Sequence, residues 1–442
     1  MDREKQTAGF TQRLHHGVVW AAGSQGATML AQAGIVILLA KLGSASVLGR
    51  YALALSIVTP ITLLSRLQLR GLVTTDARRE YRFGEYLALR LVTNCVAFAG
   101  VLAVLAIVRP GWDDIQTTLA LTLVKLTENT SAVFLGRLQR SDQWQRITAA
   151  SALRAGFGLA AFAFAWINSA NLPLALLALG ATDLLVLMLY EMPVVRSLLQ
   201  REGGSSKPVW DRARMTALTL AALPMGGVAT LVSLIIQMPR YFVEGFIGTE
   251  ALGHWAAVMQ ITTATALTLQ PAGQASLARL AVYDQSNPTA FRRLFSLLLG
   301  AAGLLGVACV AAAYAIGDTV LALIYRPEYA ALQPILVLTM VGAIAAHASS
   351  VLGYTLTAAR RFRAQFLLYS VATVASAVAC YLLIPTLGLT GAAYAHIATW
   401  VVACLGGGII FIQHRRARLS DTDPPERPIT VKAEVSRSVH SG

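Results

Sequence analysis

Ionisable side chains inside long apolar stretches are the residues of this sequence whose chemistry stands out. Lys125 and Glu128 lie near the middle of one stretch, three residues apart, so a helix would place them on one face. Asp183 lies near the middle of another stretch, and Arg90 and Arg154 lie a turn or two inside two more. A charge at the centre of a bilayer costs about 2.5–3.5 kcal/mol on insertion scales, so each of these groups needs a partner or water.

Two interpretations of these charges are open. Arg90 and Arg154 could extend towards lipid headgroups, while Lys125 and Glu128 could form a purely structural ion pair. The alternative is a wet cationic cavity, in which guanidinium and ammonium groups replace the hydration of an anionic substrate. The candidate cations of that cavity are Arg90, Lys125, Arg154 and Arg240. Glu128 and Asp183 would then be coupling groups or charge partners.

Motifs for catalysis, metal binding or cofactor binding do not accompany these charges. The sequence has no glycine-rich phosphate loop followed by Lys-Ser/Thr, no His-Glu-x-x-His and no Gly-x-Ser-x-Gly. The cysteines all fall in apolar stretches, without the spacing of a disulfide framework or a metal site. They are Cys95, Cys309, Cys380 and Cys404. We therefore expect a protein that is not an enzyme and has neither a metal site nor a cofactor.

Twelve apolar stretches must position the charged residues. With 56% hydrophobic and 13% charged residues, the 442-residue chain is not an ordinary soluble protein. Each stretch is long enough to cross a hydrocarbon core of about 30 Å, and backbone groups in lipid must pair within a helix. The stretches lack the apolar–polar alternation of a β-barrel. They cover approximately residues 17–40, 48–64, 85–108, 114–135, 147–167, 172–195, 215–239, 251–269, 293–316, 330–357, 364–384 and 389–412.

The distribution of basic residues predicts the orientation of these spans. With the N-terminus in the cytoplasm, the inner segments hold 28 Lys and Arg residues and the outer loops hold 5. This asymmetry follows the positive-inside rule and places both termini in the cytoplasm. It also accounts for the net charge of +14 without nucleic acid, because the basic loops would lie against anionic lipids.

A short internal echo indicates that the chain is a duplication. The residues LGRYA at 48–52 match LGHWA at 252–256, and apolar stretches flank both copies. Because each half has six spans, the halves enter the membrane from the same side and form a parallel repeat. The predicted organisation is a leader (1–16), a six-helix lobe (17–195), a cytoplasmic linker (196–214), a second six-helix lobe (215–412) and a disordered basic tail (413–442).

The second copy of the echo also carries a family resemblance. Pro239-Arg240-Tyr241, followed by Gly248 and Leu252-Gly253, resembles the polysaccharide export, Wzx-like lipid-linked oligosaccharide flippases. Arg50-Tyr51 occupies the matching turn of the first half. These flippases belong to the multidrug/oligosaccharidyl-lipid/polysaccharide exporter (MOP) superfamily, and the resemblance covers the chain from about residue 17 to 413.

The resemblance implies a bacterial inner-membrane flippase that works by alternating access. Its substrate would be a polyprenyl-pyrophosphate-linked oligosaccharide, and its further partners would be membrane lipids, the polysaccharide polymerase and the chain-length machinery. Gln25, Gln32 and Asn94 could then contact sugar hydroxyls, although a polar residue in a helix more often serves packing. His254, His347 and His396 could titrate near neutrality, although they too more often serve packing.

Three further expectations concern the mechanism and its alternatives. Pro224, close to Gly226-Gly227, removes a helix hydrogen bond and should mark a hinge in span 7. A multidrug exporter of the same superfamily is the nearest alternative, although a site for cationic drugs should be acidic and aromatic. A membrane enzyme of polysaccharide assembly is the alternative from another class, and the short outer loops disfavour it.

Overall fold

The structure is a computed structural model that describes residues 2–76 and 80–420, without the side chains of residues 2–18 and of several residues further along. In these ranges the chain is helical. The first half comprises α1 (Asp2–Leu42), α2 (Ala45–Arg66), α3 (Leu69–Thr75), α4 (Phe83–Val108), α5 (Trp112–Arg140), α6 (Trp144–Ser169), α7 (Leu172–Val186) and α8 (Met192–Arg201). A π-helical turn, Leu187–Glu191, joins α7 to α8.

The second half comprises α9 (Arg212–Phe246), α10 (Thr249–Ser286), α11 (Pro288–Ile324), a 3-10 helix (Pro327–Leu332), α12 (Gln333–Ala358) and α13 (Phe362–Ser420). Residue Gly388 of α13 has φ of 60°, which divides this helix into two segments. The segment between the halves, after α8 and before α9, is residues 202–211.

Polar capping residues fix where several helices begin. The side chain of Asn171 accepts a hydrogen bond from Leu174 N at 3.0 Å, and Asn287 accepts one from Ala290 N at 2.9 Å. A proline lies within two residues after each of these asparagines, in the first turn, where a missing N–H costs nothing. Asp211 caps α9 in the same way, through Arg214 N at 3.1 Å. These side chains therefore define where α7, α9 and α11 begin.

Nine helices of the described chain are long and apolar enough to cross a membrane. Helices α5 and α10 are also long but are not among the nine, and α5 carries the polar residues of interest here. The protein is therefore an all-α, multi-pass membrane protein, which confirms that part of the sequence prediction. Twelve spans in two six-helix lobes stay a prediction. The nine helices, together with α5, α10 and the second segment of α13 after Gly388, would give that number.

Helices of each half pack mainly with helices of the same half, and α2 packs against both α9 and α10. The echo residues meet at this junction. A Cβ on Gly49 would lie 1.9 Å from the carbonyl oxygen of Thr249, and a Cβ on Gly253 would lie 1.8 Å from that of Ala45. Each helix thus contacts the first turn of the other at a glycine, which permits the close backbone approach seen between membrane helices.

Buried apolar side chains surround this crossing. The largest buried cluster combines residues of both halves, including the fully buried Leu48 and Trp255. The crossing is therefore part of the core that holds the two halves together, and it lies beside the interior of the first half.

The last helix extends beyond the predicted boundary. Helix α13 runs to Ser420, whereas the sequence predicts a disordered tail from residue 413. The physical reason is local, because His414 is buried and contacts Asp284 of α10. Residues 421–442 of the predicted tail lie outside the described ranges.

Candidate functional site

The interior of the first half holds an ion pair on α5. Lys125 Nζ donates to both carboxylate oxygens of Glu128 at 2.9 Å, as the spacing of three residues predicts. The two side chains are 19% and 32% exposed, so the pair is reachable from outside the packed core. Tyr51 of α2 lies within electrostatic range of both residues and of Arg240. The pair therefore lies close to the junction between the halves.

A second ion pair lies deeper, between α6 and the π-helical turn. Arg154 Nη2 is 3.0 Å from Glu191 Oε1, and Ser131 Oγ donates to Glu191 Oε2 at 2.7 Å. Glu191 is fully buried. The 3.0 Å contact lies outside hydrogen-bond geometry, so these atoms of Arg154 and Glu191, together with Arg154 Nε, lack hydrogen bonds within the described chain. Arg154 thus retains donor capacity for another anion.

Asp183 on α7 is buried next to these two pairs. It lies within electrostatic range of Lys125, Glu128, Arg154 and Glu191. Its side chain makes no hydrogen bond or ion pair with any residue in the described ranges. Gly158 of α6 leaves room beside it, because a Cβ there would be 4.0 Å from Asp183 Oδ1. A buried carboxyl in this position needs water, a proton or a ligand.

Two arginines near the junction have unused guanidinium groups. Arg240 of α9 and Arg66 at the end of α2 make no hydrogen bond or ion pair through their side chains within the part of the chain that the structure describes. Arg240 Nε is buried without a hydrogen bond. Arg66 lies within electrostatic range of Lys125 and Glu128. Glu244, one helical turn after Arg240, bonds instead to Thr249 Oγ1 at 2.7 Å.

Arg90 occupies a different environment from the other candidate cations. It is fully buried, and its Nη1 and Nη2 donate to the carbonyl oxygens of Ser65 and Arg66 at 3.1 and 2.7 Å. These carbonyls belong to the last turn of α2, where helix acceptors are otherwise free and a positive charge is favourable. The observed contacts therefore assign Arg90 to the support of the α2 end, an interpretation that the sequence did not suggest.

The amide side chains named as sugar contacts differ among themselves. Asn94 Nδ2 donates to Leu126 O at 3.1 Å and to Thr130 Oγ1 at 2.9 Å, so it joins α4 to α5. Gln25 and Gln32 are exposed on α1, and their spacing of seven residues places them on one helix face. Pro224 falls in α9 among the side chains outside the description, so the hinge stays a prediction.

The three histidines lie away from these charges, on second-half helices. His347 faces Thr265 Oγ1 at 3.3 Å, His254 packs edge-on against Tyr329, and His396 is buried against Trp400. These contacts are those of packing residues. Groups of three or more potential metal ligands do not occur among the described residues.

We call the assembled residues the charge cluster. Its members are Arg66, Lys125, Glu128, Arg154, Asp183 and Glu191 of the first half and Arg240 of the second. Two of them, Arg66 and Glu191, are not among the residues predicted from the sequence. Arg66 lies just beyond one apolar stretch and Glu191 lies near the end of another, where a charged residue is not unusual. Two ion pairs use only part of the basic groups, so the cluster can receive an anion.

Comparison with known proteins identifies the fold. Family models give no match to the chain. A capsular polysaccharide biosynthesis protein, CapF, from Staphylococcus aureus is 23% identical over 362 residues, which cover 81% of this chain and 89% of that protein.

Solved structures match over almost the whole chain. An inward-facing MATE-family multidrug resistance transporter of the MOP superfamily has a TM-score of 0.67 at 14% identity, covering 90% of this chain and 96% of its own. The outward-facing conformation gives 0.64, covering 93% and 96%. A Pyrococcus furiosus MOP transporter, described as having a binding pocket of reversed polarity that suggests a different function, gives 0.63 at 15% identity, covering 91% and 95%. The chain therefore has the fold of the MATE transporters.

Proposed function

We propose that the protein is a flippase of the bacterial inner membrane, with both termini in the cytoplasm. It would move a polyprenyl-pyrophosphate-linked oligosaccharide, the unit of an O-antigen, capsule or exopolysaccharide, from the cytoplasmic to the periplasmic leaflet by alternating access. The observation that carries this proposal is the basic excess of the charge cluster, with the unpaired guanidinium groups of Arg66 and Arg240. Similarity to a protein named for capsular polysaccharide biosynthesis supports the substrate class.

The pyrophosphate would bind where free donors face the junction of the halves. Arg240 belongs to α9, whereas Lys125 and Arg154 belong to α5 and α6. An anion held by Arg240 and Lys125 together therefore contacts both halves. Such a ligand can favour one relative position of the halves over another, which alternating access requires. The exposed Gln25 and Gln32 would contact sugar hydroxyls, and the polyprenyl tail would stay in lipid.

The membrane potential would assist export of this substrate. With the inside negative, moving one negative charge outwards gains about 2.3 kcal/mol per 100 mV. Protonation of Asp183 or Glu128 remains a separate coupling route, and Asp183 is suited to it because its buried carboxyl has no side-chain partner within the described chain.

A transport assay tests the proposal against a multidrug exporter. Proteoliposomes would contain a fluorescent polyprenyl-pyrophosphate disaccharide, and an added glycosidase would report its arrival in the opposite leaflet. We expect wild-type protein to flip the lipid and to leave a cationic dye gradient unchanged. Dye export without lipid flipping would reject the flippase and favour the drug exporter. Loss of the disaccharide's linkage without flipping would instead indicate an enzyme.

Substitutions at Lys125 distinguish binding of the pyrophosphate by this residue from a purely structural pairing with Glu128. If its charge meets the pyrophosphate, Lys125→Arg should retain more flipping than Lys125→Gln. Because Lys125→Gln leaves Glu128 unpaired, the double variant Lys125→Gln/Glu128→Gln is the matched control. We expect the double variant to remain slow, and full flipping by it would remove Lys125 from the proposed site.

A further inference from the structure

A long surface groove follows the two segments of α13, and its lining residues do not include members of the charge cluster. It consists of two connected cavities of about 560 and 760 Å³ that share Val371 and Val402 as lining residues. The larger cavity is lined by valine, alanine and leucine with the single polar residue Ser370. We call this feature the α13 groove. Its lining residues include exposed aliphatic groups such as Leu367, Val374 and Leu382.

One end of the α13 groove is polar, and its side chains form a hydrogen-bonded chain. Arg361 and His414 line this end. Arg361 Nη2 lies 3.4 Å from His414 Nδ1, and His414 Nε2 lies 3.1 Å from Asp284 Oδ2. The side chains of His414 and Asp284 are only 6% and 4% exposed.

The hydrogen-bond roles of Arg361, His414 and Asp284 follow from which of their side-chain atoms can donate and which can accept. A neutral histidine that donates Nε2–H to the carboxylate presents Nδ1 as an acceptor, and Arg361 can only donate. Asp284 thus fixes the ring of His414, and His414 fixes the exposed guanidinium of Arg361 at the groove end. Among the described residues one donor of Arg361 is used, and its remaining donors are available to a ligand.

The charge around this end is positive. Arg415 Nη1 lies 3.7 Å from Asp284 Oδ1, and its guanidinium lies 4.8 Å above the ring of Phe291. Arg360, Arg363 and Arg416 are nearby in sequence and exposed. The topology predicted from the basic residues places this end at the cytoplasmic surface. A basic group beside an apolar groove at that depth matches an anionic lipid headgroup above its acyl chain.

We propose that the α13 groove binds an anionic glycerophospholipid of the cytoplasmic leaflet. One acyl chain lies along Val371 and Val374, and the headgroup phosphate accepts hydrogen bonds from Arg361. A resident membrane lipid fits better than the transported lipid, because α13 contributes no residue to the charge cluster. This site is independent of the proposed function, since any membrane protein with such a groove could bind the same lipid.

Native mass spectrometry of the purified full chain tests this site. The protein would be exchanged from detergent with phosphatidylglycerol or with phosphatidylcholine, and the retained lipids would be counted. We expect wild-type protein to retain one phosphatidylglycerol preferentially. Arg361→Gln should weaken that retention about tenfold, the usual value of a charge-assisted hydrogen bond. Arg363→Gln, an exposed arginine that does not line the groove, should have no effect.

A second variant tests the apolar part separately. Val371 is half-exposed and shared by both cavities, so Val371→Trp should fill the groove without disturbing the core and should release the lipid. Leu405→Trp, on an exposed position outside the lining, is its control. Equal retention of both lipids by wild-type protein, or unchanged phosphatidylglycerol retention in Arg361→Gln, would overturn the proposal. Displacement by a polyprenyl phosphate but not by phosphatidylglycerol would assign the groove to the transported lipid instead.

Discussion

At the scale of single residues, the pair of Arg154 and Glu191 is the most constrained part of the charge cluster. Glu191 is fully buried, and beyond Ser131 its compensation is the guanidinium 3.0 Å away. An anionic substrate that drew Arg154 away would leave a buried carboxylate uncompensated. The pair therefore links substrate binding to the charge state of Glu191. The π-helical turn places Glu191 towards α6, and such turns often occur at functional sites.

This arrangement predicts a difference between stability and transport. Arg154→Gln should destabilise the protein by about 3–5 kcal/mol, because it strands the buried Glu191. The double variant Arg154→Gln/Glu191→Gln should regain thermal stability, since no buried charge is left unpaired, but it should not regain transport. Thermal unfolding of the purified protein and the flipping assay measure the two quantities. Wild-type flipping by a stable double variant would show that Arg154 does not bind substrate.

Sequence alone could identify some of these residues but not their pairing. Lys125 and Glu128 share one helix, so their spacing was enough to predict the ion pair. Arg154 and Glu191 are on different elements, and only the packing of α6 against the end of α7 brings them together. The contacts of Arg90 with the α2 carbonyls were equally invisible, because they join positions 24 and 25 residues apart.

At the scale of elements, the crossing of α2 and α10 depends on two glycines. The echo between residues 48–52 and 252–256 predicted corresponding elements, and the structure adds that they contact each other directly. The all-helical, multi-pass architecture was also predictable, since apolar stretches of this length have few alternatives in lipid. The close approach of α2 and α10 was not predictable, because it depends on packing between residues about 200 positions apart in the sequence.

Substitution of either glycine should force α2 and α10 apart. Gly49→Ala and Gly253→Ala should each destabilise the protein by about 1–3 kcal/mol, the usual cost of overpacking. Gly245→Ala is the matched control, because it is helical and nothing lies within 4 Å of its added Cβ. We expect the control to be neutral or stabilising in thermal unfolding. Equal melting temperatures for all three variants would contradict the close crossing.

At the scale of the whole molecule, one arginine joins the two halves at the end where α1 finishes. Arg326 Nη2 donates to Lys41 O at 2.9 Å and to Gly43 O at 2.6 Å, and Arg326 Nε also reaches Lys41 O. These bonds cross from the second half to the first. They must break if the cavity opens at that end, which the predicted topology places on the periplasmic side.

Loss of this contact should favour the open arrangement at that end. Spin labels at Leu42 and Glu328, in a background without native cysteines, would measure the separation of the halves. We expect Arg326→Ala to shift the distance distribution to longer values. Arg109→Ala is the control, because among the described residues the side chain of Arg109 bonds only to Ala106 O, one turn earlier in the chain. Identical distance distributions for Arg326→Ala and wild type would show that Arg326 does not hold the two halves together at this end.

The predicted orientation of the molecule can be tested with single cysteines. Ala170, Thr386 and Ser205 are all exposed, so neighbouring side chains do not shield a cysteine at any of these positions. Cysteines at Ala170 and Thr386 should react with an impermeant thiol reagent in intact cells, whereas one at Ser205 should react only after lysis. Labelling at Ser205 in intact cells would show that the predicted orientation is wrong.

The reciprocal contact between Gly49 and Thr249, and between Gly253 and Ala45, has an evolutionary consequence. Residue i meeting j while j meets i is the pattern that a two-fold axis creates between identical subunits. Under the predicted duplication, a six-helix ancestor pairing with its own copy would have built the whole crossing from a single glycine. After gene fusion, the two copies could accept mutations separately. Six of the seven residues of the charge cluster could then accumulate in one copy, while the crossing kept the geometry of the former dimer.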